Sequence, residues 1–171
     1  MLMFRAWLLC CCVLLLGCAG KPDTVQPVTN FDLQRYLGTW YEIARLDHSF
    51  ERGLTKVTAD YSLRDDGGVR VLNRGYAADK KEWKEAEGKA YFVNRPDEAY
   101  LKVSFFGPFY GSYVVMALDD DYQHALISGP DTSYLWILSR TPQLDPAVKE
   151  KLVAKARVAG FDTSGLIFVE Q

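Results

Sequence analysis

The segment Gly38-Thr39-Trp40-Tyr41-Glu42-Ile43-Ala44 stands near the start of a long series of runs that alternate between apolar and polar residues. Aromatic and β-branched residues follow the glycine, and such residues favour a strand. Alternation along the segment places Trp40 and Glu42 on one face, which we expect to be the inner one. A carboxylate buried there needs a partner such as arginine or tyrosine, and it could then orient the head of a ligand.

The residues after this segment alternate between apolar and polar in short runs. With the strand predicted over residues 40–46, these runs make eight: 54–63, 69–78, 83–93, 101–105, 112–118, 125–128 and 134–140 are the other seven. Turn sequences such as Asp65-Asp66-Gly67-Gly68 separate them, since glycine tolerates the backbone angles of tight hairpins. Eight evenly spaced strands joined by short turns indicate an up-and-down barrel or a sandwich.

The hydrophobic period changes after the last of these runs. Asp145-Pro146 is typical of a helix start, and Gly160 is typical of a helix end. The helix between them has one apolar stripe, formed by Val148, Leu152, Ala156 and Ala159. We expect this helix to lie outside the sheet and to cover Leu135 and Ile137. A short final strand is predicted around residues 166–168.

The first residues have the pattern of an export signal. Arg5 precedes an apolar run from Ala6 to Leu16, which is long enough for a signal-peptide core and too short to span a bilayer. The run ends in Leu15-Leu16-Gly17-Cys18, which resembles the lipobox of bacterial lipoproteins. This resemblance implies removal of residues 1–17 and lipidation of Cys18, and Ala19 after the cysteine implies the outer membrane. The alternative is an ordinary secretory signal with a chance cysteine.

Composition excludes several classes of function. The 20 basic and 22 acidic residues give a net charge of -2, which offers no basic field for nucleic acid. All four cysteines precede residue 19 and only two histidines exist, so the body has no disulfide and no cysteine- or histidine-rich metal site. The sequence lacks G-x-S-x-G and H-E-x-x-H motifs and a body thiol. We therefore expect no enzyme, no metal and no cofactor.

Three segments together resemble the motifs of the lipocalin family. Gly38-x-Trp40 resembles the first motif, Asp119-Asp120-Asp121-Tyr122 the second without its usual leading threonine, and Arg140 the third. The resemblance extends over residues 30–171 and implies a lipocalin domain after a lipidated tether at residues 18–29. It implies an all-β fold: an eight-stranded antiparallel up-and-down β-barrel, with the C-terminal α-helix packed outside and a short final strand.

The motif residues also have a direct physical interpretation. A cation over an indole face stabilises by about 0.5–2 kcal/mol, so Arg140 stacked on Trp40 can close one end of the barrel. We therefore interpret four residues as structural, namely Gly38, Trp40, Tyr122 and Arg140. The alternative for Arg140 is an anion-binding role.

Alternation back from Arg140 predicts the inner wall of the barrel. The expected ligand-binding residues are Tyr61, Asn73, Phe92, Phe105, Tyr113, Tyr134, Trp136 and Leu138. On the sixth strand, Val114 and Met116 compete with Tyr113 for the inner face. The loop Phe105–Tyr110 contains four aromatic residues, which either fold back into the barrel or form a ligand lip, a membrane contact or a dimer surface.

The family resemblance implies a carrier of a fatty acid or lysophospholipid. Such a protein would sit in the bacterial outer membrane through lipidated Cys18, face the periplasm, and store or transport lipid in envelope maintenance. A homodimer is compatible with this expectation. Two alternatives remain open: a lipocalin-fold enzyme that acts on a lipophilic ligand, and an interaction lipoprotein whose barrel is filled by its own side chains.

Overall fold

The computed structural model describes residues 20–171, so the predicted signal peptide and Cys18 lie outside the described residues. These residues include two α-helices, α1 (Leu33–Tyr36) and α2 (Pro146–Val158), and a 3-10 turn at Thr163–Gly165. The strands are β1 (Gly38–Arg45), β2 (Leu54–Leu63), β3 (Val69–Ala77), β4 (Glu82–Phe92), β5 (Tyr100–Phe106), β6 (Phe109–Leu118), β7 (His124–Ser128), β8 (Leu135–Ser139) and β9 (Ile167–Phe168).

The first eight strands form one closed antiparallel barrel. Consecutive strands pair from β2 to β8, and β1 completes the circle by pairing with both β2 and β8. Trp40 lies opposite Ala59 of β2, and Tyr41 lies opposite Ser139 of β8. The short β9 adds to β1 outside this circle. The predicted up-and-down barrel with a final strand is confirmed.

Alternation along the strands creates two hydrophobic cores. The inner core fills part of the barrel and includes Trp40 and Leu138. The outer core lies between the sheet and α2, where Leu135 and Ile137 are fully buried beside Leu152. The Asp145 carboxylate accepts a 2.8 Å hydrogen bond from the Ala147 amide and so caps α2 at its predicted start. The helix therefore covers the outer wall as predicted.

The segment before β1 is more ordered than a tether requires. Val25 is fully buried in the outer core, and the Thr24 hydroxyl donates to the Ala159 carbonyl at 2.6 Å. The Val28 amide donates to Val115 at 2.9 Å. Val25 thus lies on the outer wall, whereas Val28 packs against the inner core and Thr29 pairs with Glu98. Hydropathy does not reveal these contacts. The folded body, as described, already includes Gly20.

Chain direction distinguishes the two ends of the barrel. The short helix α1 precedes β1 and lies across the end where β1 begins. We call this the closed end. The loops after β1, β3, β5 and β7 lie at the opposite end, which we call the mouth; they comprise residues 46–53, 78–81, 107–108 and 129–134. No helix within residues 20–171 is long and apolar enough to cross a membrane.

Candidate ligand-binding site

A stacked pair closes one end of the barrel. The Arg140 guanidinium carbon lies 4.0 Å from the centroid of the Trp40 ring, and Trp40 is fully buried. Arg140 also donates to the carbonyls of Arg35 at 2.8 Å and Thr39 at 3.0 Å. The Trp40 indole N–H donates to the Tyr36 carbonyl at 2.8 Å. These bonds tie α1, β1 and the end of β8 together.

Gly38 and Tyr122 lie at the same closed end. The φ angle of Gly38 is +91°, a backbone conformation that glycine adopts without strain. The Tyr122 carbonyl accepts from Arg140 at 3.3 Å, and its hydroxyl accepts from the Asp32 amide at 2.8 Å. All four residues expected to be structural therefore meet here.

Three tyrosines form the floor of the interior, next to the closed end. The Tyr113 hydroxyl lies 2.7 Å from that of Tyr36 and 2.8 Å from that of Tyr61. Burial raises the pKa of each of the three phenols, so the hydroxyls stay neutral. The enclosed space beside them measures about 20 Å³, roughly the room needed by one water molecule. The floor is therefore filled by protein.

Strand β6 directs Tyr113 toward the inside of the barrel. Tyr113 packs in the inner core, whereas Val114 and Met116 are buried in the outer core. The sequence left open which face of this strand points inward. Helix α2 and the N-terminal segment cover the outer side, so Val114 and Met116 lie there and Tyr113 faces inward.

The half of the barrel above the floor is open. Ala59, Asn73 and Ala86 lie side by side in register on β2, β3 and β4, on the face that Val71 and Ala90 share in the inner core. Ala59 and Asn73 are partly exposed, and Ala86 is exposed. Ala86 also lies in the stretch of β4 that does not pair with β5, so solvent reaches these inner-face residues at the mouth end of the barrel.

A buried ion cluster lines the upper wall on the β1 side. The Arg45 guanidinium donates to the Glu42 carboxylate at 2.6 Å and to the Glu51 carbonyl at 2.9 Å. The Glu51 carboxylate accepts from the Trp136 indole N–H at 3.1 Å. A β-bulge between Glu42 and Ala44 shifts the alternation and brings Arg45 to the side of Glu42. Sequence alternation alone puts Arg45 on the opposite face and therefore misses it.

The cluster is close to electrically neutral. Burial raises the pKa of Glu42 to about 8, and the neighbouring Glu51 carboxylate adds to the increase, against the lowering effect of Arg45. Burial also raises the pKa of Glu51. At neutral pH the two carboxyl groups therefore carry less than two negative charges beside the Arg45 cation.

An aromatic stack covers part of the mouth. The His48 ring lies 5.2 Å from that of Phe50 and 4.3 Å from that of Tyr134, with nearly parallel planes in both pairs. Burial lowers the pKa of His48, which favours the neutral imidazole. Two buried nitrogens at this end, Nε of Arg45 and Nε2 of His48, have no hydrogen-bond partner among the described residues.

The eight residues expected to bind a ligand fall at three depths. Tyr61, Tyr113 and Leu138 belong to the lower inner core, and Phe92 lies beside them with its ring 6.2 Å from that of Phe31. Asn73, Phe105 and Trp136 face the upper half, and Tyr134 stands at the rim. Within residues 20–171, no group of histidine, aspartate and glutamate side chains is arranged to hold a metal ion.

Comparisons with known proteins agree with this architecture. A Lipocalin-like domain family model matches residues 31–171. Outer membrane lipoprotein Blc of Vibrio cholerae is 60% identical over 166 residues, covering 96% of this chain and 97% of that protein. Blc of Escherichia coli K12 is 59% identical over 160 residues, with coverage of 92% and 90%. Insecticyanin from the tobacco hornworm Manduca sexta has a similar structure, with a TM-score of 0.68 at 23% identity over 89% of this chain and 87% of that one.

These relatives establish the cellular location and the general class of the protein. The bacterial relatives are named outer membrane lipoproteins, which identifies this chain as a lipid-anchored protein of the bacterial outer membrane. They indicate a binding protein rather than an enzyme. By its sequence motifs, its closed barrel and these matches, the chain belongs to the lipocalin family.

Proposed function

We propose that the chain binds a single-chain lipid, a fatty acid or a lysophospholipid, inside the barrel and stores or transports it during maintenance of the cell envelope. The observation that carries this proposal is the open half above the floor, where inward-facing Ala59, Asn73 and Ala86 are reached by solvent. Such a space is closed below and open above, which suits a ligand with an apolar tail and a polar head.

The walls of the open half suit an acyl chain. Phe105 and Trp136 are partly buried and pack against the inner core, so they offer apolar surface to a tail. Each CH₂ group removed from water there contributes about 0.8 kcal/mol. The neutral tyrosine floor stops the tail without placing an ion against it.

Cationic groups near the mouth favour an anionic head. Lys84 shares the inward alternation of Ala86 and lies near the mouth end of β4, where it is exposed. Below it, the buried Arg45 Nε makes no hydrogen bond among the described residues and lies 3.8 Å from the Glu51 carboxylate. A carboxylate or phosphate near the mouth would meet these groups, and a largely protonated Glu42 would not repel it.

We propose Cys18 as the site of the lipid anchor. The segment Leu15-Leu16-Gly17-Cys18 and the names of the bacterial relatives support cleavage after residue 17 and acylation of Cys18.

Blocking the open half tests the lipid site. Ala86→Trp places an indole in the space, and Glu87→Trp places the same group on the outer face of the same strand. Titration with a long-chain fatty acid should show at least about tenfold weaker binding for Ala86→Trp, or roughly 1.4 kcal/mol, and an unchanged affinity for Glu87→Trp. Equal affinities in the two variants would locate the ligand elsewhere.

The closed floor favours a second candidate, an interaction lipoprotein that holds no ligand. Native mass spectrometry of protein purified from membranes separates the two candidates. A co-purified acyl ligand supports the carrier, whereas a ligand-free mass after exposure to fatty acid and lysophospholipid supports the filled barrel.

A further inference from the structure

Two buried carboxyl groups at the mouth end of the barrel share one cation. Glu42 is 4% exposed and Glu51 is 8% exposed, and the Arg45 guanidinium beside them is 2% exposed. Arg45 lies 2.6 Å from the Glu42 carboxylate and 3.8 Å from the Glu51 carboxylate. Within residues 20–171 no other cation forms an ion pair with either carboxyl group. The cluster is therefore neutral only while one of its two carboxyl groups holds a proton.

The cluster lies at the depth where the head of a bound lipid would stay. Arg45 and Trp136 are opposite one another at the mouth ends of β1 and β8, and Glu51 belongs to the mouth loop at residues 46–53. The Trp136 side chain packs against the inner core, and its indole N–H donates to the Glu51 carboxylate at 3.1 Å. One side chain thus touches both the wall of the lipid site and the cluster.

A negative charge at this depth would act on the cluster through protein rather than through bulk water. Two unit charges about 10 Å apart inside a protein interact strongly enough to change the proton affinity of a carboxylate by about tenfold. An anionic head would therefore favour the protonated cluster. By reciprocity, the protonated cluster would bind an anionic head more tightly than the ionised cluster does.

We propose that Glu42 and Glu51 determine how the lipid site discriminates between head groups of different charge: an anionic head is bound together with a proton that the two carboxyl groups share, whereas a head without net charge is bound without one. The proton comes from solvent and adds to a carboxylate oxygen. This inference rests on the proposed lipid site, and it adds the property of the head group that the site distinguishes.

The pKa of Glu42 places this discrimination above neutral pH. Burial raises the pKa of Glu42 to about 8, the Glu51 carboxylate adds to the increase, and Arg45 opposes it. At pH 7 the cluster therefore holds most of its shared proton, and by pH 9 it has lost most of it. The affinity for an anionic head should fall over this interval, because the ionised cluster repels it.

Other titratable groups surround the cluster on the elements packed against it and across the mouth. They are Asp47, His48 and Arg52 of the mouth loop, Tyr61 of β2, Lys84 of β4, Asp131 of the loop after β7, and Glu170 of the C-terminal segment. Burial lowers the pKa of His48 and raises the pKa of Tyr61, so both side chains are neutral over the interval. Hydrogen bonds from neighbouring side chains lower the pKa of Asp47 and of Asp131, so both stay anionic.

Two lysophospholipids whose heads do not titrate over the interval test the discrimination. Lysophosphatidylglycerol carries one negative charge, and lysophosphatidylcholine with the same acyl chain carries no net charge. Between pH 7 and pH 9 the affinity for the first should fall about fivefold, and the affinity for the second should change less than about twofold. Far-ultraviolet circular dichroism at each pH checks that the fold is intact.

Isothermal titration calorimetry measures the proton directly. Titrations in two buffers with different ionisation enthalpies at about pH 8 should show proton uptake with lysophosphatidylglycerol and none with lysophosphatidylcholine. Binding of lysophosphatidylglycerol without proton uptake would overturn the proposal.

Three substitutions to glutamine assign the effect to the cluster. Glu42→Gln keeps the shape of a protonated carboxyl group and still accepts from Arg45, and its affinity for lysophosphatidylglycerol should not vary with pH. Glu51→Gln should also remove the variation, because Glu42 then has Arg45 to itself. The control Glu85→Gln removes an exposed carboxylate on the outer face of β4 and should keep the variation of the parent. A parental pH dependence in both cluster variants would overturn the proposal.

The outcomes separate this inference from the lipid site on which it rests. If neither lysophospholipid binds at any pH, the lipid site is refuted and the discrimination with it. If both bind with the same flat pH profile, the lipid site stands and the discrimination by head charge is refuted.

Discussion

Replacing Arg140 with alanine tests the closed end of the barrel. The guanidinium lies 4.0 Å above the Trp40 ring and donates to the carbonyls of Arg35 and Thr39. In a half-buried site the cation–π contact contributes about 1–2 kcal/mol, and each carbonyl that loses a charged donor costs about 1 kcal/mol more. We therefore expect Arg140→Ala to lower the free energy of unfolding by about 3 kcal/mol.

A double-mutant cycle separates the stack from the hydrogen bonds. Trp40→Ala should cost about 3–5 kcal/mol because it removes a fully buried aromatic side chain. If the two groups stabilise one another, the double variant should lose about 1–2 kcal/mol less than the two single losses combined. Arg140→Lys should restore only part of the loss, because an ammonium cannot donate to both carbonyls in the geometry of a guanidinium.

The measurement is urea denaturation monitored by far-ultraviolet circular dichroism, a signal that does not depend on the fluorescence of Trp40. A coupling energy below about 0.5 kcal/mol would mean that the two side chains act independently. The close contact of Arg140 with Trp40 would then be incidental, and the hydrogen bonds to α1 and β1 would hold the end closed.

Three further changes test the interior, its packing and the anchor. The pKa of Glu42 is about 8 in the fold against an ordinary value of 4.5, so the folded chain holds an extra proton between these values and its free energy of unfolding falls as pH rises through that window. Glu42→Gln should flatten this slope in urea melts, and an unchanged slope would contradict the assignment. Gly88→Ala should destabilise by about 1–3 kcal/mol, because the new Cβ would lie 2.8 Å from the Ser104 carbonyl oxygen and 2.9 Å from the Phe105 ring, whereas Gly111→Ala meets nothing within 4 Å and should melt almost as the parent does. Cys18→Ser should leave the precursor uncleaved or release the protein from membranes, and normal processing with normal membrane fractionation would refute acylation there.

Alternation predicted the barrel because each strand must bury one face. The strand segments, the outer helix and the outward direction of Leu135 all follow from that requirement. Trp40 and Arg140 are 100 positions apart, yet their meeting could be anticipated, since β1 begins and β8 ends at the same end of an up-and-down barrel.

Features that break the period could not be predicted in this way. The bulge in β1 brings Arg45 beside Glu42, and nothing in the local sequence marks its position. The helix α1 spans Leu33–Tyr36, which is too short to show a helical period. The tyrosine floor joins hydroxyls from three distant segments, and its geometry depends on side-chain rotamers. Secondary-structure propensity carries no information about such contacts between distant side chains.

The distribution of charge inside the barrel determines how deeply the tail and the head of a bound lipid would enter. The floor holds neutral phenols, and the wall above it holds Arg45 between two carboxyls whose pKa values are raised by burial. A tail can therefore descend to the floor without meeting an unpaired ion, whose burial would be strongly unfavourable. A charged head stays nearer the mouth, where water and the exposed Lys84 can solvate it.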